Sequence, residues 1–201
     1  MLNFFTRASV SRLVDPIGHW LVRRGLSPNV VTVIGTVATA AAALWFYPRG
    51  ELFVGTVVVT VFLFFDLLDG AMARTLNRAT SFGAVLDASC DRIADAVLFG
   101  SLVWWALVVD DNESRGLGLL VCLGGAQVIS YVKARAEANG LTADGGVAER
   151  AERFVVILVA VGLHGLGVPY VLDAAIWLLV LLIVLTVVQR LVRVHSPRAR
   201  T

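Results

Sequence analysis

The chain has 201 residues, of which 58% are apolar and 16% charged, with a net charge of +2 and a mean hydropathy of +0.80. Soluble domains are about half apolar and about one quarter charged, so the composition excludes a soluble enzyme and a disordered chain. Two cysteines are too few for a disulfide-stapled secreted domain. A membrane-spanning helix needs about 20 mostly apolar residues. Six runs without Asp, Glu, Lys or Arg indicate such helices, at residues 30–47, 52–65, 96–109, 116–132, 154–172 and 174–189.

The N-terminal segment 1–26 alternates apolar side chains with arginines and contains no uncharged core long enough for a cleavable signal peptide. This pattern favours an amphipathic helix on the inner membrane surface, broken near Pro16, with a simple N-terminal anchor as the alternative. Ser27 and Pro28 are typical of the first turn of a helix. We therefore predict one all-α domain, an integral membrane bundle of six transmembrane helices over residues 27–194, followed by a basic tail at 195–201.

The other five helices are predicted at about residues 52–74, 81–109, 116–138, 149–162 and 171–194, with an inner loop near 139–146 and a tight outer turn at 165–169. If the chain begins inside and crosses six times, 15 of its 17 basic residues face the cytoplasm, and the outer turns carry only Arg49 and Arg115. Cytoplasmic segments of membrane proteins show this bias. Both termini of this multi-pass protein are therefore predicted to lie on the cytoplasmic side of the cell membrane.

Four aspartates fall inside the predicted membrane helices, where uncompensated carboxylates are costly and functional by default. Asp66 and Asp69 share one helix face at a spacing of three, and Asp87 and Asp91 share another at a spacing of four. Both pairs lie about 7–15 Å from the cytoplasmic ends of their helices. Oxygen ligands suit Mg²⁺ or Mn²⁺, and four carboxylates suffice for two ions of the kind that activate phosphoryl groups. The alternative is ion pairing with Arg74, Arg78 and Arg92, and Asp95 is expected to pair or to support the metal ligands.

Small and hydroxyl-bearing residues beside these acids fit a phosphorylated ligand. Gly70 and Ala73 remove bulk, although small residues in membrane helices also serve as packing contacts. Arg74 can bind a phosphate with two hydrogen bonds. Thr80 offers a hydroxyl at the start of the third helix, where N-capping is the alternative role.

The segment from Asp66 to Asp91 resembles the signature of the CDP-alcohol phosphotransferases. The pattern D-x2-D-G-x2-A-R-x8-G-x3-D-x3-D is matched at all eight fixed positions over 26 residues. The resemblance implies that CMP on a CDP-linked lipid is exchanged for an alcohol, at a site with two divalent cations. It implies that the four aspartates hold the metals and that Asp91 also takes the proton of the attacking hydroxyl. The residues implied to surround the CDP-lipid are Asn29, Thr32, Gly70, Ala73, Arg74 and Thr80.

A second cluster of cations, at the predicted inner helix ends, bears on the acceptor. Lys133, Arg153 and Arg193 at three helix ends are placed to converge on a phosphate, with a lipid-contacting basic belt as the alternative. The stretches 130–137 and 149–153 resemble those of actinobacterial phosphatidylinositol-phosphate synthases, which join CDP-diacylglycerol to inositol 1-phosphate. That resemblance implies that Ser130, Lys133, Arg153 and Arg193 hold the acceptor phosphate. Glycerol 3-phosphate, the acceptor of phosphatidylglycerophosphate synthase, remains the alternative.

The family also implies a homodimer, for which Gly100, Gly124 and Gly125 provide small contact residues; no nucleic-acid partner is expected. A cation or proton transporter is a separate possibility, because intramembrane carboxylates also build transport sites. Transporters more often place such acids at the midplane in broken, repeated helices, and the sequence has no internal repeat.

Overall fold

The structure is a computed structural model that describes residues 16–64, 72 and 80–195. Within these ranges the chain is helical and contains no β-strand. A short helix spans residues 16–23. The helices that follow are α1 (Pro28–Phe46), α2 (Leu52–Leu63), α3 (Ser81–Trp104), α4 (Glu113–Glu137), α5 (Arg150–Gly165) and α6 (Val171–His195).

The predicted helices and the described helices agree closely in position. A 3₁₀ turn, Tyr47–Arg49, extends α1, and a π-helical turn, Trp105–Val109, extends α3. The fifth helix begins near its predicted position but continues three residues further, to Gly165. The predicted second helix is described as far as Leu63. Most of the N-terminal amphipathic segment, the rest of the second helix and most of the basic tail lie outside the described residues.

Local capping explains where several helices begin. The backbone N–H of Val30 approaches Oγ of Ser27 at 3.4 Å, which supports Ser27 as the predicted cap of α1. Asn112 caps α4 by accepting a hydrogen bond from the N–H of Arg115 at 3.0 Å. Each cap satisfies a backbone donor that the first turn of a helix leaves unpaired.

In the part of the chain that the structure describes, four segments are long and apolar enough to cross a membrane: Pro28–Arg49, Ser81–Val109, Glu113–Glu137 and Val171–His195. Large apolar side chains such as Val37, Trp45, Val155 and Val184 are exposed on the described helices. A water-soluble protein rarely exposes apolar surface on this scale. The chain is therefore a membrane protein.

The chain divides into two compact units. One comprises Met1–Ala42 and Val58–Ala94, and the other comprises Ala43–Val57 and Asp95–Thr201. The first unit contains the described aspartates of the sequence motif. The second contains the cations predicted to bind the acceptor.

Helices α4 and α6 of the second unit run parallel in a constant register. A Cβ atom placed on Gly118 or on Gly125 would lie 2.3 Å from Cγ2 of Ile176 or of Ile183, respectively. Both pairs are 58 residues apart, as are Arg115 and Asp173, whose side chains form two hydrogen bonds of 2.8 Å at the beginnings of the two helices. The absence of a side chain at two positions seven residues apart therefore allows α6 to pack closely against α4.

Helix α5 runs in the direction opposite to α4 and α6. At its start, the N–H of Ala148 donates to Oγ1 of Thr186, near the end of α6. At its end, Gly165 approaches the start of α2 so closely that a Cβ would lie 2.6 Å from the backbone nitrogen of Phe53. The second unit therefore has one end formed by the starts of α4 and α6, and another formed by their ends and the loop 138–149.

Candidate functional site

Two of the four predicted metal ligands lie on α3. Asp87 and Asp91 are one helical turn apart, Asp87 is exposed and the Asp91 side chain is 21% exposed. Nη2 of Arg92 lies 3.8 Å from Oδ2 of Asp91, longer than a hydrogen bond but within the range of an ion pair, so pairing with Arg92 stays an alternative for Asp91. The two carboxylates thus present oxygen donors on one face, as a site for Mg²⁺ or Mn²⁺ requires.

The remaining predicted ligands, Asp66 and Asp69, lie outside the described residues. Among the residues that the structure does describe, no group of three or more His, Cys, Asp or Glu is placed to hold a metal ion. Because half of the predicted set falls outside those ranges, the four-aspartate site stays a prediction.

The structure brings together two residues that the family resemblance associates with the CDP-lipid. A Cβ on Gly83 would lie 3.0 Å from Oγ1 of Thr80 and 3.2 Å from Oδ1 of Asn29. Gly83, a fixed position of the motif without a predicted role of its own, therefore leaves room between these two polar side chains. Thr80 also caps α3, because its Oγ1 accepts a hydrogen bond from the N–H of Gly83 at 3.0 Å. The N-capping alternative is thus confirmed without excluding the predicted contact.

Thr32, the other described residue of this group, is buried, and its hydroxyl donates to the carbonyl of Pro28 at 3.1 Å. The predicted CDP-lipid residues Gly70, Ala73 and Arg74 lie outside the described residues, and their roles stay predictions.

In the second unit, Lys133 and Arg193 lie against adjacent residues of the loop 138–149, Asp144 and Gly145. Nζ of Lys133 lies 2.7 Å from Oδ1 of Asp144. A Cβ on Gly145 would lie 2.8 Å from Nη1 of Arg193, and the positive φ of +82° there also favours glycine. The ammonium of Lys133 lowers the pKa of Asp144 below its ordinary value. Two of the four predicted acceptor residues are therefore close in space.

The other two predicted acceptor residues have partners within the protein. Ser130 donates a hydrogen bond to the carbonyl of Ala126 at 3.1 Å. Arg153 is only 2% exposed, and its Nη1 donates to the carbonyl of Ala148 at 2.8 Å. Their contact with an acceptor phosphate stays a prediction.

Asp95 explains how Arg153 is accommodated in the protein interior. Its Oδ1 lies 3.2 Å from Nε of Arg150, and its Oδ2 lies 3.5 Å from Nη2 of Arg153. The Asp95 side chain is 1% exposed. The expectation that Asp95 pairs with a cation is confirmed, and the pair compensates charges that would be costly to bury alone.

Arg190 is a structural cation whose individual role was not predicted from the sequence. Its Nη1 donates to the carbonyl of Ile129 at 2.8 Å, and its Nε donates to the carbonyl of Gly145 at 3.0 Å. It therefore ties the loop 138–149 to both α4 and α6. The sequence signal was available, since Arg190 interrupts an apolar helix, but the sequence does not identify its partners.

Comparison with known proteins identifies relatives over most of the chain. A family model described as CDP-alcohol phosphatidyltransferase matches residues 25–188. The phosphatidylinositol phosphate synthase of Mycobacterium marinum is 47% identical over 201 residues, covering 98% of this chain and 86% of the relative. The enzyme of the same name from Streptomyces avermitilis is 45% identical over 206 residues, covering 99% of this chain and 84% of the relative.

Solved structures of a third relative match the fold. The crystal structure of phosphatidylinositol phosphate synthase from Mycobacterium tuberculosis with CDP-DAG bound has a TM-score of 0.89 and 47% identity, covering 94% of this chain and 96% of that chain. The crystal structure of the same enzyme in complex with manganese and citrate has a TM-score of 0.88, covering 92% and 91%. With the family model matching most of its length, the chain belongs to the CDP-alcohol phosphatidyltransferase family.

Proposed function

We propose that this protein is a phosphatidylinositol phosphate synthase. It transfers the phosphatidyl group of CDP-diacylglycerol to a hydroxyl of inositol 1-phosphate and releases CMP. The observation that carries this proposal is the 47% identity, over 98% of the chain, to a relative named for this activity.

The motif aspartates are the proposed centre of the reaction. Asp66, Asp69, Asp87 and Asp91 hold two divalent cations, Mg²⁺ or Mn²⁺, which when bound polarise the diphosphate and stabilise the departing CMP. Asp91 accepts the proton of the acceptor hydroxyl as its oxygen bonds to phosphorus and the bond to CMP breaks. The two described carboxylates, one turn apart on α3, support this assignment.

Polar and small residues are proposed to bind the CDP-lipid. Asn29 and Thr80 bind the nucleotide end, and Gly83 leaves room beside them. The short distances from a Cβ on Gly83 to the side-chain oxygens of both residues support this arrangement. The other members of this set are Thr32, Gly70, Ala73 and Arg74.

Cations are proposed to bind the phosphate of the acceptor. Lys133 and Arg193 contact it directly, a role supported by their positions beside the adjacent loop residues Asp144 and Gly145, respectively. Ser130 and Arg153 complete the set. Several cations favour a phosphorylated alcohol over a neutral one because they interact with its two negative charges.

The protein is proposed to be a single-domain, multi-pass protein of the cell membrane, with six transmembrane helices, both termini in the cytoplasm and its active site open to the cytoplasm. The parallel register of α4 and α6, with α5 returning between them, supports alternate crossings. A homodimer is the proposed assembly.

A substrate panel tests the proposed activity. Purified protein and CDP-diacylglycerol are incubated separately with inositol 1-phosphate, inositol, glycerol 3-phosphate and serine, and released CMP is measured. We expect turnover with inositol 1-phosphate, loss of turnover in EDTA and its recovery on addition of Mg²⁺ or Mn²⁺. Asp91→Asn is expected to abolish turnover, with Asp111→Asn, in an exposed turn, as the matched control. Preferential turnover of glycerol 3-phosphate would assign the chain to phosphatidylglycerophosphate synthesis instead.

A further inference from the structure

The loop 138–149 is fastened to α6 immediately beyond Asp144. The guanidinium of Arg190, itself 6% exposed, donates to the carbonyl of Gly145 at 3.0 Å. Three residues later, the N–H of Ala148 donates to Oγ1 of Thr186 at 3.0 Å. The backbone beside Asp144 is therefore held in place by contacts that do not involve the Asp144 side chain.

The carboxylate of Asp144 lies where an incoming anion would bind. Its Oδ1 is 2.7 Å from Nζ of Lys133, whereas the other carboxylate near this ammonium, that of Glu137, lies at 3.7 Å. The guanidinium of Arg193 packs against the neighbouring Gly145. Asp144 thus pairs with Lys133, the cation that is proposed to bind the acceptor.

We propose that Asp144 is an internal competitor of the acceptor phosphate. In the absence of acceptor its carboxylate pairs with the ammonium of Lys133. The phosphate of the incoming alcohol displaces this carboxylate. This inference rests on the proposed function, and it adds a residue that sets the affinity for phosphorylated acceptors.

The exchange requires only a side-chain rotation. The Asp144 side chain is 68% exposed, so its carboxylate can turn into solvent while Arg190 and Thr186 keep the loop in place. The incoming phosphate monoester carries more negative charge than one carboxylate, so it gains more from the ammonium. A neutral alcohol has no group that replaces the carboxylate at Lys133.

The kinetic test compares Asp144→Asn with the unsubstituted enzyme. We expect the KM for the phosphorylated acceptor to fall by about two- to fivefold, the range that corresponds to an exposed ion pair, while the KM for CDP-diacylglycerol stays unchanged. Asp144→Ala, which also removes the carboxylate, is expected to behave in the same way. An unchanged KM, or a higher one because the carboxylate helps to bind the acceptor, would overturn the proposal.

Glu137→Gln is the matched control, because it removes one negative charge near the same ammonium from a more distant position. It is expected to lower the KM for the acceptor less than Asp144→Asn does. An equal effect would show that the electrostatic potential around Lys133, and not direct pairing of Asp144 with its ammonium, controls acceptor binding.

A binding measurement separates failure of this proposal from failure of the proposed function. Titration of the detergent-solubilised protein with inorganic phosphate, without CDP-lipid, is expected to show tighter binding to Asp144→Asn by the same factor. If the substrate panel identifies glycerol 3-phosphate as the acceptor, the function is revised, and this titration still decides whether Asp144 competes. Equal phosphate affinities would exclude the competition whichever acceptor reacts.

Discussion

Lys133 carries the single lysine ammonium of the chain, on the last turns of α4. It lies among carboxylates of its own protein, with Asp144 in direct contact. An ammonium held at a helix end near an accessible loop retains a full charge for binding a phosphate.

Lys133→Ala is therefore expected to raise the KM for the phosphorylated acceptor about tenfold or more, because a hydrogen bond to a charged group is lost. The KM for CDP-diacylglycerol is expected to change by less than about twofold. Steady-state kinetics with each substrate varied in turn measures the two values. Lys133→Arg, which keeps the charge, serves as the control, and an equal rise in both KM values would return Lys133 to the lipid-contacting basic belt.

Asp95 supports the interior of the second unit because it faces Arg150 and Arg153. Asp95→Ala leaves the buried guanidinium of Arg153 without its carboxylate. We expect a loss of about 3–5 kcal/mol of unfolding free energy, typical of a broken buried ion pair.

Thermal or chemical unfolding of the purified variants measures this loss. Asp111→Asn, at an exposed position whose positive φ of 51° suits asparagine as well as aspartate, is expected to stay within about 0.5 kcal/mol of the unsubstituted protein. Equal stability of the two variants would mean that Asp95 does not compensate the buried arginine.

Individual side-chain roles were only partly predictable from the sequence. An acid one turn beyond Asp91 in an apolar helix must find a cation, and Asp95 does. The burial of Arg153 was not predictable, since it depends on a carboxylate 58 residues earlier in the chain. The contact between Lys133 and Asp144 was missed for a related reason, because Arg190 determines how the loop folds back.

At the scale of elements, α4 and α6 pack closely because isoleucine side chains of α6 lie against glycines of α4. Gly124 and Gly125 are adjacent on α4, yet a Cβ on Gly125 would lie 2.3 Å from Cγ2 of Ile183 and one on Gly124 would meet no atom within 4 Å. Gly125→Ala is therefore expected to cost about 1–3 kcal/mol of stability through overpacking. Gly124→Ala, the matched control, is expected to leave stability unchanged.

Unfolding of the two variants in the same detergent tests this difference. Equal destabilisation would indicate that Gly124 faces a partner, such as a second copy of the chain, and a neutral Gly125→Ala would mean that α4 and α6 are less closely packed than described. The sequence offered Gly125 as a dimer contact, whereas the structure packs it against Ile183 of the same chain, because the helix register decides its neighbour.

Helix positions were predictable because uncharged runs and capping residues are local features. The irregular turns Tyr47–Arg49 and Trp105–Val109 were not predictable, since each lies where several helix ends of the second unit meet. Gly50, which follows the first turn, approaches Val109 at the end of the second. Such contacts arise only after the chain has folded.

At the scale of the whole molecule, the proposed chemistry requires the proposed orientation. The water-soluble substrate carries phosphate and the released product is a nucleotide, so the site must open to the compartment that holds both. The proposed orientation rests on charge, because it places 15 of the 17 basic residues on the inside. This inference is independent of the reaction and can be tested separately.

Single introduced cysteines test the orientation in intact cells with a maleimide that does not cross membranes. Glu51→Cys and Glu113→Cys, at exposed positions near the beginnings of α2 and α4, are expected to react without permeabilisation. Asn139→Cys, exposed after the end of α4, is expected to react only once the membrane is opened. The native Cys90 and Cys122 are buried, so the unsubstituted protein provides the background. The reverse pattern would place the cations of the loop 138–149 outside, away from a cytoplasmic acceptor, and labelling of all three positions in intact cells would contradict a single orientation set by the arginines.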